Sequence, residues 1–282
     1  MIYLITGATG DVGTRVVETL LQQGVRPRVF VRNHDKAISL FGDRVEVFTG
    51  DLANSASLRV ALQGADSLFL LNSGPEIPVQ DALAAAAAKA AGVTHIVKLS
   101  SIDVEQSLAI GAWHEQGEAA IRASGVPFTF IRPTGFMSNL LAWAPSIKSQ
   151  GLIRTSTGNG RRAFIHSADI AAVAAKAMAT RDYLGESVAV TGPEALTFAE
   201  AAAKIGTAIG KQVGFEPVSD EEAGRRFAAT GESAEVVEAH GALWRAIREG
   251  RLAMVTKEVA RILGRKPISL DEWAIENAAA FR

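Results

Sequence analysis

Cysteine is absent from this sequence of 282 residues. Its absence excludes disulfide bonds, thiolate nucleophiles and cysteine-ligated metals, and it suits a reducing compartment. Residue 1 leads directly into an apolar segment, without the basic leader of a signal peptide. We therefore expect a cytoplasmic protein.

An excess of charge of one sign is missing as well. The chain has 29 Lys and Arg against 30 Asp and Glu, which gives a formal net charge of −1. Because no basic excess is available to hold a polyphosphate backbone, a direct nucleic-acid partner is not expected. Two arginine pairs, Arg161 with Arg162 and Arg225 with Arg226, are interpreted as solvated surface.

Long hydrophobic runs are also lacking. The alanine-rich segment 82–91 is too short and too weakly hydrophobic to cross a membrane, and Lys89 interrupts it. We interpret this segment as a helix whose small residues pack closely on a sheet. No membrane partner is expected.

A glycine turn between a strand and a helix stands at the start of the chain. Residues 2–5 form a short apolar run, residues 6–13 read TGATGDVG, and a helical pattern follows. In such a turn the backbone N–H groups and the positive end of the helix face an anion such as a pyrophosphate. Gly7 allows the tight turn, Gly10 allows close approach of a phosphate, and Gly13 lets helix and strand pack.

Strand-like and helix-like segments alternate in the first half of the chain. Short apolar runs recur at residues 29–31, 45–48, 68–71, 95–99 and 125–131, with helical stretches such as 55–62 and 79–91 between them. Nearly continuous apolar runs separated by helices are typical of a parallel sheet covered on both faces. The sequence therefore predicts an α/β fold with a doubly wound, parallel Rossmann-type sheet.

The pattern changes after residue 132, where helical segments predominate. These segments are 139–148, 168–179, 198–209, 219–229, 234–248, 256–263 and 271–281, with strand fragments at 187–190 and 213–215. We predict a dinucleotide-binding Rossmann core over residues 1–132, onto which residues 165–192 pack. Residues 133–282 are predicted to form a smaller, mainly helical substrate or lid region.

The end of the second strand bears on the choice of cofactor. NAD-preferring Rossmann domains carry an acidic residue about 20 positions past the glycines, which binds the ribose hydroxyls. Here Arg32 follows the strand and Lys36 adds a second positive charge. A guanidinium suits a 2′-phosphate, so NADP(H) is the predicted cofactor. NAD(H) stays possible, because Asp35 could serve the ribose and Arg32 could be a solvated strand-end residue.

Two further strand ends carry candidate cofactor contacts. Asp51 and Leu52 follow the third strand, where they could contact the adenine amino group and ring; Asp51 could equally cap the next helix. Leu71, Asn72 and Ser73 follow the fourth strand, where the ribose and diphosphate of the cofactor would pass.

These motifs together resemble the NmrA-like branch of the atypical short-chain dehydrogenases. The matching segments are TGATGDVG (6–13), VRNHDKA (31–37), GDL (50–52), KLSS (98–101) and RPTGFMSN (132–139). The resemblance covers most of the chain and includes similarity to NADPH-dependent quinone oxidoreductases, triphenylmethane-dye reductases and azoreductases. The family also includes redox sensors that bind the dinucleotide and catalyse nothing.

The resemblance implies roles for particular residues. It implies that the glycine turn holds the diphosphate and that Arg32 meets the adenosine phosphate. The turn residues concerned are Gly7, Ala8, Thr9, Gly10, Asp11 and Val12. The resemblance also implies that Gly135 to Asn139 lie by the nicotinamide and substrate and that the strand end at Ser100 lines the nicotinamide. Pro133 is a further predicted cofactor contact.

The catalytic pair of typical short-chain dehydrogenases is missing. Those enzymes use Tyr-x-x-x-Lys, in which Lys lowers the pKa of Tyr and Tyr exchanges a proton with the substrate oxygen. Tyr3 and Tyr183 are the only tyrosines, and neither fits this pattern. His114 and Glu118 stand at the equivalent spacing, one helical turn apart. His114 is either a proton donor or substrate ligand, held or charged by Glu118, or a surface histidine with an acidic neighbour.

The missing pair limits the chemistry. An unactivated ketone needs its developing alkoxide protonated, whereas a quinone or a cationic dye accepts hydride to give a relatively stable phenolate or neutral product. A site without the Tyr–Lys pair therefore suits an electron-poor acceptor, or no reaction at all.

Other polar residues give weaker signals. Ser100 and Ser101 end the fifth strand, where they either line the nicotinamide, with Ser101 as a catalytic candidate, or make local backbone bonds. Lys98 is expected to extend its amine from the buried strand to the sheet edge. A hydrolase triad of Ser101, His114 and Asp103 is disfavoured, because no nucleophile elbow is present.

No metal site is expected from the histidines. His166 and Asp169 lie close together in the sequence, but no third ligand accompanies them at metal spacing.

A flat apolar pocket is the last feature predicted. Its candidate residues are Phe136, Met137, Trp143 and Phe164, beside Asn139. Aromatic residues on helices can instead belong to the core.

Three functional hypotheses follow. The first is NADPH-dependent reduction of a quinone-like or conjugated aromatic acceptor, with a small aromatic molecule as substrate. The second is a non-catalytic NADP-binding redox sensor that docks a protein partner. The third is a tailoring oxidoreductase or oxygenase of aromatic natural products.

Overall fold

The computed structural model describes all 282 residues, which divide into two compact units. The first unit contains Met1–Val104, Gly111–Arg132 and Ser167–Ala189. The second unit contains Glu105–Ile110, Pro133–His166 and Val190–Arg282.

Eleven strands occur along the chain. They are β1 (Tyr3–Thr6), β2 (Arg28–Val31), β3 (Glu46–Thr49), β4 (Ser67–Leu70), β5 (His95–Leu99), β6 (Phe128–Pro133), β7 (Leu152–Thr155), β8 (Arg161–Arg162), β9 (Ser187–Val190), β10 (Leu196–Thr197) and β11 (Gly214–Pro217).

Thirteen α-helices accompany them. They are α1 (Asp11–Gln22), α2 (His34–Phe41), α3 (Ser55–Leu62), α4 (Ile77–Ala90), α5 (Ala109–Ser124), α6 (Ala144–Gln150), α7 (Ser167–Ala179), α8 (Phe198–Ile209), α9 (Asp220–Ala228), α10 (Ala234–Arg248), α11 (Glu258–Leu263), α12 (Leu270–Glu276) and α13 (Ala278–Phe281). Short 3-10 helices occupy Gly42–Arg44, Ile102–Gln106 and Met137–Trp143.

A seven-stranded sheet in the order β3-β2-β1-β4-β5-β6-β9 forms the centre of the first unit. Neighbouring strands from β3 to β6 pair in parallel. The β6–β9 bonds advance in the same direction on both strands, from Phe130 N–H to Glu186 O and from Thr134 N–H to Val190 O. The strand order reverses between β1 and β4, which is where doubly wound sheets bind their ligands. The predicted fold class is confirmed.

Burial explains why these segments form strands of a covered sheet. Every residue of β1, β4 and β5 is buried, as expected for strands with helices on both faces. The alanine-rich helix α4 buries Ala84, Ala85, Ala87 and Ala88 in the core cluster, so its small side chains allow close helix–sheet packing.

The second unit holds two small sheets and most of the remaining helices. Strand β11 pairs in parallel with β7, and β10 pairs antiparallel with β8. Helix α8 begins with a capping box between Thr197 and Glu200 and ends at Gly210, where φ is +70°. Helices 198–209 and 234–248 have the bounds that the sequence predicts.

Two predicted helices of the second unit are interrupted. The segment 139–148 divides into a 3-10 helix and α6, because Pro145 lies in the first turn of α6 and favours a new helix start. The segment 271–281 divides at Asn277, whose side-chain N–H donates to Trp273 O at 2.9 Å. None of the helices has the length and hydropathy that a membrane span requires.

Candidate active site

The glycine turn after β1 is built as tightly as the sequence predicts. Gly10 N–H donates to Gly7 O at 3.0 Å. Gly7 has φ of +61°, and a Cβ there would lie 2.5 Å from the Leu71 side chain. A Cβ on Gly13 would lie 2.1 Å from Gly7 O. A Cβ on Gly10 would meet only Gly7 O, at 3.3 Å, so internal packing demands glycine less strongly at this position.

Helix α1 begins in this turn without a side-chain cap. Its N-cap residue is Gly10, which has no side chain to accept from the first N–H groups. Those donors, with the positive end of the helix dipole, can therefore face an anion. The Asp11 carboxylate accepts from Ser167 Oγ and from Arg15 Nε, so these two side chains hold it at the start of the helix.

A cleft of about 470 Å³ adjoins the turn, within the usual range for cofactor sites. Its lining residues come from the ends of β1 to β4 and from α2 and α4. They are Thr6, Gly7, Thr9, Gly10, Phe30, Val31, Arg32, Asn33, Lys36, Gly50, Asp51, Leu52, Leu71, Asn72, Ser73 and Gln80. Ala8 and Val12 are buried, so these two predicted contacts can contribute through their backbone only.

Two cations without ion-pair partners line one end of the cleft. Arg32 and Lys36 are both exposed and form no ion pair within the protein. Asn33 fixes the start of α2, because its Oδ1 accepts from Lys36 N–H at 2.9 Å. Asp35 does not line the cleft and lies 3.4 Å from His34 Nδ1. This end of the cleft is therefore positively charged.

Two separate side-chain to backbone hydrogen bonds fix the segment between β3 and α3. Asp51 Oδ1 accepts from Ala53 N–H at 2.8 Å. The cap of α3 is Asn54, whose side chain accepts from Ala56 N–H at 3.1 Å. The alternative interpretation of Asp51 as the helix cap is therefore wrong, because Asn54 stands next to the helix. Asp51 and Leu52 remain on the cleft surface.

Lys98 is completely buried, so the expectation that it reaches the sheet edge is wrong. Its Nζ forms an ion pair with Asp81 Oδ2 at 3.2 Å, and both side chains are 0% exposed. Nζ also donates to Asn72 Oδ1. Burial lowers the pKa of Lys98 and raises the pKa of Asp81, and the opposite charge of each partner counteracts the shift. A partner inside the core therefore replaces solvent for this amine.

Glu118 is fully buried in α5 and is surrounded by donors. Its Oε1 accepts from Ser100 Oγ at 2.7 Å and from Arg132 Nε at 2.9 Å. Its Oε2 accepts from Arg132 Nη2 at 2.6 Å and from Arg122 Nη2 at 3.1 Å. The prediction that Glu118 holds or charges His114 is wrong. The carboxylate of Glu118 accepts hydrogen bonds from two guanidinium groups and a hydroxyl instead.

His114 is buried and uncharged. Burial lowers the pKa of His114 to about 3, and the positive charge of Lys98 adds to the effect. The interpretation as a surface histidine is therefore wrong, and an imidazolium proton donor is absent at neutral pH. Nδ1 has no hydrogen-bond partner. A neutral imidazole can still donate from one nitrogen and accept at the other.

The two serines at the end of β5 differ in what they offer. Ser100 is buried and donates its proton to Glu118. Ser101 is half-buried, and its Oγ accepts from Asp103 N–H at 3.1 Å, a bond that leaves the Ser101 hydroxyl proton unused. Of the two hydroxyls, Ser101 is the one with a donor still available.

The sequence profile of the NmrA-like family matches residues 2–273. The chain belongs to the NmrA-like family. This match confirms the family resemblance carried by the glycine turn and the later motifs.

Two relatives of this NmrA-like protein cover nearly its whole length. The (4-alkanoyl-5-oxo-2,5-dihydrofuran-3-yl)methyl phosphate reductase of Streptomyces griseus is 38% identical over 281 residues, which are 99% of this chain and 98% of that protein. The NAD(P)H azoreductase of Xenophilus azovorans is 33% identical over 283 residues, 99% of this chain and 98% of that protein.

A solved structure matches the NmrA-like fold with similar coverage. The NADPH-dependent quinone oxidoreductase of Escherichia coli, in complex with NADPH, superposes with a TM-score of 0.89. It is 28% identical and covers 98% of this chain and 99% of that chain.

In the second unit of this NmrA-like protein, the predicted pocket residues differ in exposure. Met137 and Phe164 are buried, Trp143 and Phe136 are half-buried, and Asn139 is exposed. Phe164 and Trp143 both pack against Phe198, with ring centroids 5.5 and 5.6 Å apart. Phe198 is a member of this aromatic cluster that the sequence analysis missed.

Gly135 of the second unit lies against an arginine. A Cβ on Gly135 would come within 2.5 Å of Arg162 Nε. Arg162 is buried, so its interpretation as solvated surface is wrong, while Arg161 is exposed and pairs with Glu200 at 2.8 Å. The tight packing explains glycine at position 135, which precedes the predicted pocket residues.

Sequence reasoning also missed Asn33, Gln80, Asp81 and Arg132. Asp81 had a readable signal, because it stands in register with the buried residues Ile77, Ala84 and Ala88 of α4. An acidic residue on an otherwise apolar helix face indicates a buried partner. Lys98 gives the corresponding signal, because a basic residue within a buried strand also indicates a buried partner of opposite charge.

Proposed function

We propose that this protein is an NADPH-dependent reductase whose acceptor is a quinone or another conjugated, electron-poor molecule. The family match and the reductase relatives make the chain an NAD(P)H-dependent oxidoreductase. The preference for NADPH and the class of acceptor are the parts that we propose. The positively charged cleft beside the glycine turn is the observation that carries the proposal.

The residues of the cleft fit a dinucleotide. Gly7, Gly10 and the uncapped start of α1 leave a concave backbone surface with N–H donors for a diphosphate. Asp51 and Leu52 offer a carboxylate and an apolar surface for an adenine at the end of β3. NADPH supplies a hydride when bound; the chain supplies binding and orientation.

The charges at the cleft end favour a 2′-phosphate. Arg32 and Lys36 are cations without a carboxylate partner, and Asp35 faces His34 instead of the cleft. A guanidinium binds a phosphate by charge-assisted, bidentate hydrogen bonds. NADH lacks this phosphate and would leave both cations unused.

The proposed acceptor class is argued from the lack of an acidic group that could protonate a developing alkoxide. His114 is neutral, and Ser100 donates its proton to Glu118. Neither of the two tyrosines fits the Tyr-x-x-x-Lys pattern. A substrate whose hydride adduct is a delocalised anion needs no protonation in the transition state, whereas a simple ketone does. The dihydrofuranone and azo substrates in the names of the two relatives are unsaturated acceptors, which supports this choice.

We assign acceptor binding to the second unit. Phe136 and Trp143 offer partly accessible aromatic surface, and Asn139 an exposed amide. Flat conjugated molecules bind well to such aromatic surfaces. Within the first unit, we propose Ser101 and neutral His114 as candidate hydrogen-bonding groups of the catalytic centre.

The test is oxidation of NADPH and NADH by a panel of small quinones, followed by the absorbance of the reduced nicotinamide. We expect turnover with quinones, and a much larger loss of kcat/KM for NADPH than for NADH in Arg32→Ala. Arg59→Ala, which removes an exposed arginine outside the cleft, is the matched control. Equal losses with both cofactors would refute the role of Arg32. Saturable NADPH binding without oxidation by any acceptor would refute the reductase proposal and favour a sensor.

A further inference from the structure

Lys98, Asp81 and Asn72 form a closed ring of side chains in the first unit. Lys98 donates to Asn72 Oδ1 and lies 3.2 Å from Asp81 Oδ2. Asn72 Nδ2 closes the ring by donating to Asp81 Oδ1 at 2.9 Å. The three residues come from β5, α4 and the segment after β4, so the ring ties three elements together.

Only one member of the ring reaches the cleft. Asn72 lines the cleft, while Lys98 and Asp81 are fully buried behind it. Asn72 Nδ2 also donates to Gln80 Oε1 at 3.1 Å, and Gln80 is a second cleft residue. The buried ion pair therefore acts on the cleft wall through Asn72.

The ring fixes the orientation of the Asn72 amide. An ammonium only donates and an ionised carboxylate only accepts, so the amide oxygen must face Lys98 and the nitrogen must face Asp81. If the amide were flipped, its NH₂ group would face the Lys98 ammonium, donor against donor, and its oxygen would face the Asp81 carboxylate, acceptor against acceptor. The adjacent residue is also held, because Leu71 N–H donates to Thr6 Oγ1 at 2.7 Å and Thr6 Oγ1 donates to Leu71 O at 3.0 Å.

Stability alone does not account for this arrangement. Removing two charges from water is costly, and replacing a buried ion pair by apolar residues of similar volume is often neutral or stabilising. The ring also restricts a fourth element, because a Cβ on Gly117 of α5 would lie 2.1 Å from Asp81 Oδ2. Such an arrangement suits a requirement for defined geometry at the cleft.

We propose that Lys98 and Asp81 are positioning residues that hold the Asn72–Ser73 wall of the cleft in the geometry needed for a correctly oriented nicotinamide dinucleotide. They act through Asn72, and they touch neither cofactor nor acceptor. The inference rests on the proposed function in taking the cleft as the dinucleotide site. Affinity should reside mainly in the glycine turn and in Arg32, and orientation in the ring.

The decisive variant is Lys98→Met/Asp81→Leu, which replaces the ion pair by apolar side chains and leaves no uncompensated charge. Lys204→Met/Asp271→Leu makes the same changes in an ion pair of the second unit and is the matched control. Three quantities are measured on each protein: the unfolding temperature, the Kd for NADPH, and the fluorescence of bound NADPH at saturation.

We expect the double variant to fold and to bind NADPH with nearly unchanged Kd, but with altered emission from the bound nicotinamide. Its single-turnover rate of hydride transfer to a quinone should fall by about 10- to 100-fold, since a displacement of about 1 Å can cost about 100-fold. The control variant should match the wild type in emission and rate. Wild-type emission and rate in the folded double variant would overturn the proposal.

A second variant covers the case in which the double variant fails to fold. Asn72→Leu keeps the ion pair but removes its link to the cleft, together with the Asn72–Gln80 hydrogen bond, and it should reproduce the altered emission and the slower transfer. Wild-type behaviour of Asn72→Leu would overturn the proposal. If the wild type reduces no acceptor, the proposed function fails, whereas the emission of bound NADPH still decides the role of the ring.

Discussion

The sequence spacing predicts that His114 takes the position of the tyrosine of typical short-chain dehydrogenases, and its surroundings give it different chemistry. The imidazole is buried, and Lys98 places a positive charge near it. Both effects disfavour the imidazolium. Glu118, which the same spacing sets against the usual lysine, forms ion pairs with Arg132 and Arg122. If the predicted equivalence holds, a neutral imidazole and an ion-paired carboxylate stand in the positions of the usual proton-transfer pair.

The pH dependence of stability should report the buried state of His114. Its pKa is lowered from 6.5 to about 3 in the folded protein. Above pH 6.5 the imidazole is neutral in the folded and unfolded chains, so its contribution to stability is complete. As the pH falls from 6.5 towards 3, the unfolded chain binds a proton that the folded chain does not, and stability is lost. The free energy of unfolding of His114→Gln, measured with urea, should therefore fall less steeply over this window.

A second histidine makes this prediction specific. His95 has its pKa lowered to about 4 by burial, so part of the wild-type slope must persist in His114→Gln. The same slope in His114→Gln and the wild type would contradict a buried, neutral His114.

At the level of secondary-structure elements, the sequence predicts those structures whose signals lie within a few neighbouring residues. A strand, a glycine turn and a helix follow one another within residues 2–22, and each signal lies within a few residues of the structure that it forms. The apolar runs that become β4 and β5 are equally local. For these reasons the sheet and the glycine turn could be predicted from the sequence.

The pairings between elements could not be predicted in the same way. Lys98 meets Asp81 across 17 positions, and Glu118 meets Arg132 across 14, given by 98 − 81 and 132 − 118. Which side chains meet depends on the register of packed helices and strands, which a single sequence does not specify. Burial of His114 was partly readable, because Gly111, Gly117 and Ile121 share its buried helix face at helical spacing.

Gly117 in helix α5 lies so close to Asp81 that no side chain fits there. In an ordinary helix interior Gly→Ala stabilises by about 1 kcal/mol. At Gly117 a Cβ would lie 2.1 Å from Asp81 Oδ2 and 3.2 Å from Asp81 Cβ. We expect Gly117→Ala to lower the free energy of unfolding by about 1–3 kcal/mol despite its better helix propensity, as overpacking does. Chemical unfolding measures the change.

The chain offers a matched helical glycine for this test. Gly241 lies inside α10, and a Cβ there would meet only Arg245 Nη1 at 3.9 Å. Gly241→Ala should therefore stabilise the protein by up to about 1 kcal/mol. If Gly117→Ala stabilised the protein to the same extent, close packing of Asp81 on α5 would be disproved.

For the whole molecule, the cleft connects ligand binding to folding. The glycine turn, the two unpaired cations and the ring behind Asn72 come from distant parts of the chain, and together they exist only in the folded first unit. A ligand that binds only this state stabilises it by mass action. Protection against unfolding therefore measures the fit of the cleft without reference to catalysis.

NADPH should protect the folded protein more than NADH at the same concentration. At about 100 times its Kd, a ligand adds about 2.7 kcal/mol to the free energy of unfolding. NADH is expected to add less, because only the 2′-phosphate engages Arg32 and Lys36. Thermal unfolding with each cofactor measures the difference, which should shrink in Arg32→Ala, where only Lys36 still engages the phosphate, and persist in Arg59→Ala. Equal protection of the wild type by both cofactors would show that the positive end of the cleft does not select the phosphate, even if the protein proved to be an active reductase.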